Sequence, residues 1–360
     1  MDQGKCISFQ CSSSVVLDNK VFMIADNTGQ LFCLNDDYSL LKYIGHVGRA
    51  IIDGQMPQYR LCLDDEKIWM IPFYGDKIGI YDKKNDMFKH VELPTSIRRQ
   101  MVKFSGAFKI GDKIYCLPYY IKDLLCTFDI MEGTIEKTFE LLDGELQDEY
   151  GKESMINDIF LLDEYRIAGV LYGTQKLLIY DTREDIAYVR SFSLDNNVQL
   201  HSCCVINNIA YAKALMEGTI YIIDIEKNDV IDIVNTRINN GKIYKSGNRF
   251  VVVDSYANQD VLIIDTKNKD KRHIRFDVDA EKEKQESYLG TAVMVDEKLY
   301  YISASRNTVY SYDEDTIYSY GMCENNIKRL REDIWKSKAG IIHEDNIFKI
   351  RDFVSCVIEG

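Results

Sequence analysis

The stretch Lys67-Ile-Trp-Met-Ile-Pro-Phe-Tyr-Gly-Asp-Lys-Ile-Gly-Ile-Tyr-Asp82 decides the fold. Two apolar runs, Ile68 to Ile71 and Ile78 to Tyr81, flank a turn with glycine and aspartate, and this pattern predicts a β-hairpin. The same pattern returns from Lys113 to Asp129, where the proline, the aromatic pair and the closing aspartate are all kept. A hairpin that recurs in this way predicts an all-β repeat protein.

The repeat has a regular period. An apolar run followed by Asp or Asn recurs at intervals of 41 to 52 residues, closing at Asn35, Asp82, Asp129, Asp181, Asp224, Asp265 and Asp313. A polar turn followed by a second apolar run keeps the same period. Four short antiparallel strands per repeat of this length predict a β-propeller blade. We therefore expect a seven-bladed β-propeller of four-stranded blades. An eighth blade, built from Asn346 to Ile350 and completed by Cys6 to Gln10, is the alternative.

We expect one propeller domain over residues 1–360. The predicted repeats are 12–45, 58–94, 104–141, 156–195, 200–235, 240–277 and 288–322, and residues 323–360 are predicted to form a C-terminal helix, a closing strand and a tail. In the helix, Ile327, Leu330 and Ile334 have helical spacing. The acidic stretches Leu142 to Asn157 and Asp277 to Glu286 are expected to be solvated loops.

The charge and the hydropathy of the chain argue against nucleic-acid binding and against membrane insertion. The net charge is −13 and there is no basic block, so the surface repels phosphate backbones and we expect no nucleic-acid partner. No apolar run approaches the roughly 18 residues of a membrane helix, and the N-terminus lacks a signal-peptide pattern. These features predict a cytoplasmic protein without membrane insertion, and we expect a monomer.

The cysteines and histidines indicate no metal site and no cofactor. Cys33, Cys116, Cys126 and Cys203 lie in apolar runs, where a thiol packs as a small apolar side chain, so we expect reduced core cysteines. The neighbours Cys203 and Cys204 would point to opposite faces of a strand. The chain has no Cys-x-x-Cys and no metal-binding histidine pair.

The motif Lys-Ile-Tyr-x-x-Pro at Lys113 to Pro118, with Ile-x-x-Tyr-Asp at Ile78 to Asp82, resembles kelch-like propeller repeats over roughly residues 12 to 322. The chain also looks similar to bacterial propellers of unassigned function. The double glycine of kelch blades is absent. The resemblance therefore implies the propeller fold but no kelch-specific partner.

Tyrosines recur at one position of the repeat, in the loop between the second and third strands. They are Tyr74, Tyr120, Tyr172 and Tyr256, with Lys122 and Arg306 beside them. These loops would lie at one mouth of the propeller channel, where tyrosine rings suit sugars, peptides or planar ligands. In the alternative interpretation the rings only fill the channel or cover neighbouring blades.

The connections between blades add His46, Arg49, Arg98 and His201. Arginines at the mouth would suit a carboxylate, a phosphate or an acidic sugar. No nucleophile motif is present, and the closing aspartates are typical turn residues.

The sequence therefore favours a non-catalytic propeller that binds a small ligand, a peptide or a protein, and we do not expect an enzyme. A lyase or hydrolase acting on a sugar or peptide is one alternative, and it would need a histidine or carboxylate at the mouth. The other alternative is a structural interaction subunit that binds through an apolar patch around Ile334, Trp335 and Phe353.

Overall fold

The computed structural model describes residues 11, 13–25, 29–47, 58–195, 197–255, 260–276, 290–303, 307–323 and 325–330. Over these residues the chain forms seven four-stranded antiparallel sheets, and the protein is an all-β, seven-bladed propeller, as the repeat predicts. In every sheet the strand order follows the chain, so each blade is built from consecutive hairpins.

Blade 1 contains β1 (Ser14–Leu17), β2 (Lys20–Ile24), β3 (Gln30–Leu34) and β4 (Leu41–His46), and blade 2 contains β5 (Gln58–Leu63), β6 (Lys67–Tyr74), β7 (Lys77–Asp82) and β8 (Met87–Glu92). Helix α1 (Thr95–Arg98) precedes blade 3, which contains β9 (Phe104–Ile110), β10 (Lys113–Pro118), β11 (Leu124–Asp129) and β12 (Ile135–Glu140). Helix α2 (Gly144–Tyr150) precedes blade 4, which contains β13 (Ile156–Leu161), β14 (Arg166–Leu171), β15 (Lys176–Asp181) and β16 (Ile186–Ser191).

Blade 5 contains β17 (Leu200–Ile206), β18 (Ile209–Ala214), β19 (Thr219–Asp224) and β20 (Asp229–Asn235). Blade 6 contains β21 (Gly241–Ser246), β22 (Phe250–Ser255), β23 (Asp260–Asp265) and β24 (Lys271–Arg275). Blade 7 contains β25 (Thr291–Val295), β26 (Lys298–Ser303), β27 (Thr308–Ser311) and β28 (Thr316–Ser319), and helix α3 (325–330) follows it.

The chain divides into two compact units. Unit one consists of Met1–Pro94 with Leu289–Gly360 and holds blades 1, 2 and 7, whereas unit two consists of Thr95–Tyr288 and holds blades 3 to 6. None of the helices in the described part of the chain is long and apolar enough to cross a membrane.

Within each unit, the apolar core lies between the faces of neighbouring blades. In β17, Cys203 packs into the cluster that contains Phe160 of blade 4, and Cys204 packs into the cluster that contains Ile243 of blade 6. The two thiols therefore point to opposite faces of the strand, as predicted, and each packs in one interface between blades. Burial on both faces explains why the inner strands are apolar runs rather than alternating ones.

The cysteine prediction is also confirmed. The four cysteines placed in the core by sequence are all buried thiols outside any disulfide, namely Cys33, Cys116, Cys126 and Cys203. Burial raises the pKa of the Cys33 thiol to about 11, so this side chain stays protonated at neutral pH and packs as an apolar group.

The closing aspartates stabilise turns. Oδ1 of Asp82 accepts a hydrogen bond from the backbone N–H of Asn85 over 3.0 Å, and Oδ1 of Asp129 and of Asp181 likewise accepts from the N–H three residues later. The residue four positions after the third strand then has a positive φ in every blade. These left-handed residues are Tyr38, Asp86, Gly133, Asp185, Asn228, Lys269 and Asp315.

The prediction of a solvated loop over Leu142 to Asn157 is wrong. The stretch contains α2, which begins after the N-cap Asp143, whose Oδ1 accepts from the N–H of Leu146 over 2.9 Å. Leu142 is buried in the core between blades 3 and 4, with Leu146 packed against it. Apolar residues at helical spacing within the acidic stretch cause this difference.

The C-terminal helix is present over 325–330, where Ile327 and Leu330 pack into the core between blades 1 and 7. Arg329 of this helix donates to the carbonyl of Ile44 over 3.0 Å, which covers part of the outer strand of blade 1. The rest of the predicted helix, the stretches considered for an eighth blade and the acidic stretch Asp277 to Glu286 lie outside the described residues.

Candidate functional site

The first strands of blades 3 to 6 lie side by side in unit two and are joined by polar contacts. Nδ2 of Asn157 donates to the carbonyl of His201 over 2.8 Å, and the N–H of Ile243 donates to Oγ of Ser202 over 3.1 Å. The hydroxyl of Ser105 donates in the same way to the carbonyl of Ile156. These contacts fix the spacing of the strands at the end where each strand begins.

β-Bulges occur at this end of three of the strands. The pairing register skips Ser105 in blade 3, Asp158 in blade 4 and His201 in blade 5. A bulge leaves one residue out of the ladder and turns its side chain in a new direction, and bulges are frequent beside functional sites. Blade 6 has no such shift, and there the second residue of the first strand is Lys242.

Asp158 and Lys242 form an ion pair across two blades. Their Oδ1 and Nζ atoms are 3.1 Å apart, and the two side chains are only 13% and 21% exposed. Asp158 has a φ of 45°, in the left-handed region, and its Oδ2 atom is buried without a hydrogen-bond partner among the described residues. A half-satisfied buried carboxylate on a left-handed residue is unfavourable and is typical of functional positions.

His201 lies against Tyr172. The two rings are 5.6 Å apart and nearly perpendicular, and Tyr172 is 37% exposed. Burial lowers the pKa of His201, and the charges of Lys213 and Lys242 lower it further, whereas Asp158 raises it. The imidazole is therefore neutral at pH 7 and can accept a proton. We call Asp158, Tyr172, His201 and Lys242 the blade 4–6 cluster.

Lys213 lies in β18, paired with Ser202 of β17, and has no exposed surface. Its Nζ atom donates to the carbonyls of Ala214, Glu217 and Asn239 over 3.2, 2.7 and 2.9 Å. Burial lowers the pKa of Lys213 to about 8. The ammonium therefore connects the loop after β18 to the chain that enters blade 6.

The three residue types of a hydrolase triad are present here as Ser105, Asp158 and His201. Their contacts differ from those of a triad. The hydroxyl of Ser105 donates to two backbone carbonyls, of Ile156 and of Pro118, rather than to an imidazole. The hydrogen bond from the serine hydroxyl to the imidazole, which activates a serine, is therefore not formed among the described residues.

Three of the other sequence-predicted residues that the structure describes lie in unit two, namely Tyr120, Lys122 and Arg98. Tyr120 forms an isolated bridge with Met155, whose carbonyl accepts from the N–H of Tyr172 over 3.0 Å, so the two tyrosines flank one residue. The Nζ atom of Lys122 lies 5.5 Å from the centre of the Tyr120 ring. Arg98 lies in α1, where Nη2 is 3.5 Å from Oγ1 of Thr95.

Two further predicted residues belong to unit one. Tyr74 ends β6 with its ring 4.7 Å from that of Phe73. His46 ends β4, a fourth strand, and its Nδ1 atom is 3.3 Å from the hydroxyl of Tyr43. Arg49, Tyr256 and Arg306 lie outside the described residues.

Sequence reasoning missed Asp158, Lys213 and Lys242. Asp158 has a weak signal, since Asn157-Asp158 interrupts an apolar run at the start of a first strand. Lys213 has a clearer one, because a lysine within the apolar run of a second strand must be buried with hydrogen-bond acceptors around it. Lys242 carries no signal, because only the tertiary structure places it against blade 4.

No family model matches the chain, and no curated protein matches it. The kelch-like resemblance therefore stays a prediction beyond the propeller fold itself. Among solved structures, a streptogramin B lyase is similar with a TM-score of 0.60 and 13% identity, over 85% of this chain and 93% of that one.

Virginiamycin B lyase from Staphylococcus aureus is similar with a TM-score of 0.56 and 13% identity, over 85% of this chain and 93% of that one. The WD40 β-propeller domain of Doa1 has a TM-score of 0.56 and 12% identity, over 84% of this chain and 93% of that one. Two lyases and a WD40 domain share the architecture at this low identity, so these likenesses establish the propeller fold and nothing finer.

Proposed function

We propose that this protein is a binding propeller whose ligand site is the blade 4–6 cluster. The observation that carries the proposal is the contact between Tyr172 and His201, in which a partly exposed ring meets a half-buried, neutral imidazole over 5.6 Å. An exposed tyrosine held against a second ring gives a rigid apolar surface with a hydroxyl group, which suits a planar group of a small ligand, a peptide or a protein.

The charges beside these rings favour an acidic group on the same ligand. Two ammonium groups, Lys213 and Lys242, and one carboxylate, Asp158, act on His201. The charges that act on the imidazole thus sum to +1, in a protein with a net charge of −13. A carboxylate beside a planar group, as at the C-terminus of an aromatic peptide, would match both features.

The experiment is a ligand-observed NMR screen with aromatic dipeptides and planar carboxylic acids as probes. We expect probes that bind the wild-type protein to lose binding to Tyr172→Ala and to keep binding to Tyr165→Ala. Tyr165 precedes β14 and Tyr172 follows it, so the two residues lie at opposite ends of one strand. Equal loss in both variants, or no binding by any probe, would contradict the proposal.

Thermal unfolding of the same variants separates a binding residue from a core residue. Tyr172 is 37% exposed, so Tyr172→Ala should lower the free energy of unfolding by no more than about 1 kcal/mol. A loss of several kcal/mol would mean that the ring mainly packs against neighbouring blades.

A second candidate function is a lyase, and one observation favours it. His201 is neutral at pH 7 and lies close enough to Asp158 for the carboxylate to raise its pKa, which is an arrangement suited to a general base. One solved virginiamycin B lyase structure contains quinupristin, so quinupristin is a rational probe. Conversion that is abolished in His201→Gln would support a lyase, and an unchanged chromatogram with wild-type protein would count against this activity.

A further inference from the structure

Unit one contains a cleft of about 500 Å³ between the turns of blades 1 and 7. Asp18, Asn19, Asp36 and Tyr38 line it from blade 1, and Asp296 and Tyr300 line it from blade 7. Clefts of this volume hold ligands of the size of a disaccharide. None of these residues belongs to the blade 4–6 cluster, so the cleft is a separate candidate site.

Tyr38 occupies an unusual backbone position. It is the left-handed residue of the turn between the third and fourth strands, with a φ of 58°, and in the other six blades this position holds Asp, Gly, Asn or Lys. A bulky residue is rare in this conformation, whereas Asn, Asp and Gly adopt it easily. The fold therefore needs a left-handed residue here but has no need of an aromatic one.

The turn of blade 1 is built to hold this conformation. Oδ1 of Asn35 accepts from the N–H of Leu40 over 2.8 Å, and Oδ1 of Asp37 accepts from the N–H of Ser39 over 3.0 Å. The hydrogen bonds on both sides of Tyr38 fix the backbone, so the direction of its Cα–Cβ bond is fixed as well.

The ring of Tyr38 contacts an aromatic residue of the neighbouring blade 7. Its ring centre lies 4.5 Å from that of Tyr300, with the planes tilted by 37°. Tyr300 is on β26 and only 7% exposed, whereas Tyr38 is half-buried. Tyr300 therefore supports Tyr38 from the core, and the exposed part of the Tyr38 ring provides a flat apolar surface edged by a hydroxyl group, on which the C–H face of a sugar ring packs.

The charges of the cleft are largely paired within the protein. Lys20 lies 3.6 Å from Asp36, Lys83 is bonded to Asp18, and Lys298 lies 3.7 Å from Glu314. Asp296 has no ion pair among the described residues and is exposed. An ionic ligand would have to displace one of these pairs, whereas hydroxyl groups can donate to the carboxylates and accept from the ammonium groups without displacing them.

From this combination we infer that the cleft between blades 1 and 7 binds a neutral saccharide. One sugar ring packs on Tyr38, and its hydroxyl groups form hydrogen bonds with Asp36, Asp296 and Asn19. The site is independent of the function proposed for the blade 4–6 cluster, and either can fail without the other.

The experiment is saturation-transfer NMR on the full chain, with maltose, cellobiose and N,N′-diacetylchitobiose as probes. We expect at least one of these neutral disaccharides to show transfer from the wild-type protein. The variant Tyr38→Asn places in blade 1 the residue type that Asn228 supplies in blade 5, so the left-handed turn is retained. It should weaken binding by about tenfold or more, since it removes the aromatic surface.

The matched control is Lys269→Asn, which changes the same turn position in blade 6 and should leave binding unchanged. Asp296→Asn keeps the left-handed turn and removes one carboxylate, so it should also weaken binding. If Tyr38→Asn does not fold, the effect of Asp296→Asn on disaccharide binding tests the inference alone. The inference is overturned if none of the three disaccharides binds, or if Tyr38→Asn and Asp296→Asn both bind like wild type.

Discussion

The hydroxyl of Tyr180 donates a hydrogen bond to Oδ1 of Asp185 over 2.7 Å. Tyr180 lies in the third strand of blade 4, and Asp185 is the left-handed residue of the turn that follows. The same contact joins Tyr81 to Asp86 in blade 2, over 2.9 Å, and Tyr310 to Asp315 in blade 7, over 2.6 Å. Three blades thus stabilise the turn to their outer strand with one tyrosine and one aspartate.

Blade 1 has a different arrangement. At the position of the strand tyrosine it has Cys33, and at the position of the turn aspartate it has Tyr38. The tyrosine hydroxyl is therefore not available to stabilise this turn, and Asn35 and Asp37 hold it instead. This exception to the repeat is what directs an aromatic ring into the cleft of unit one.

The first prediction concerns the contact between Tyr180 and Asp185. Tyr180→Phe removes the hydroxyl but keeps the buried ring, so the free energy of unfolding should fall by about 1 kcal/mol. Asp185 keeps its ion pair with Lys137, which is why the loss should not be larger. Urea unfolding measures the difference. Tyr165→Phe is the control, and a Tyr180→Phe midpoint equal to that of the control would show that the contact adds no stability.

The blades were predictable because their determinants are local. In the stretch from Lys67 to Asp82, two apolar runs and one turn specify a hairpin without information from the rest of the chain. The closing Asp82 accepts a hydrogen bond from an N–H only three residues later. Repetition of such a local unit reveals the propeller, whereas α2 was missed because its apolar residues are dispersed within an acidic stretch.

The candidate site was only partly predictable because its contacts are long-range. Tyr172 and His201 follow from their place in the repeat, since loops after second strands and starts of first strands meet at one edge. The ion pair of Asp158 with Lys242 joins blade 4 to blade 6, and it depends on a bulge that no sequence pattern indicates. The partnership of Tyr38 with Tyr300 likewise needs two blades in contact.

The second prediction concerns the stability of the protein at acidic pH. Burial lowers the pKa of His201 in the folded protein below its ordinary value of about 6.5, which applies to the unfolded chain. At pH values between the folded and the unfolded pKa, the unfolded chain therefore binds more protons than the folded one. The contribution of His201 to stability is therefore full above about pH 6.5 and declines as the pH falls through this window. Urea unfolding at pH values near 7.5 and near 5 should show a smaller loss in His201→Gln than in wild type.

The titration of Asp123 also changes stability over this pH range and requires a control in that experiment. Burial raises its pKa to about 6, above its unfolded value, so its contribution has the opposite sign and grows as the pH falls below 6. The comparison should be repeated in an Asp123→Asn background. If His201→Gln and wild type lose the same free energy on acidification in both backgrounds, His201 does not titrate below its ordinary range.

The third prediction concerns Lys213. Lys213→Met leaves the carbonyls of Glu217 and Asn239 without their donor, so we expect a loss of about 1–3 kcal/mol at pH 7. The pKa of Lys213 is lowered to about 8, so above that pH the folded protein releases this proton before the unfolded chain does. Wild type should therefore gain stability relative to Lys213→Met as the pH rises from about 8 to 10.

Thermal unfolding at several pH values measures this difference, and Lys227→Met, which changes an exposed lysine of the same blade, is the control. Parallel pH profiles for wild type and Lys213→Met would mean that the buried ammonium stays protonated throughout. Its three carbonyl partners would then compensate fully for its burial.

The fourth prediction tests whether the blade 4–6 cluster is electrostatically coupled. The charge of Asp158 raises the pKa of His201 and that of Lys242 lowers it. Asp158→Asn should therefore lower the pKa of His201 further, and Lys242→Met should raise it. Asparagine tolerates the left-handed backbone of residue 158, so the first variant changes charge without disturbing the bulge.

An NMR titration of the imidazole protons measures both shifts, and the resonance that disappears in His201→Gln identifies the residue. Lys122→Met is the control, because Lys122 pairs with Glu153 and is not among the charges that act on His201. Opposite shifts in the two cluster variants, with none in the control, require Asp158 and Lys242 to face the imidazole from two different blades. Shifts of the same sign would instead mean that each substitution moves the strands, and the cluster would then be a packing feature rather than a site.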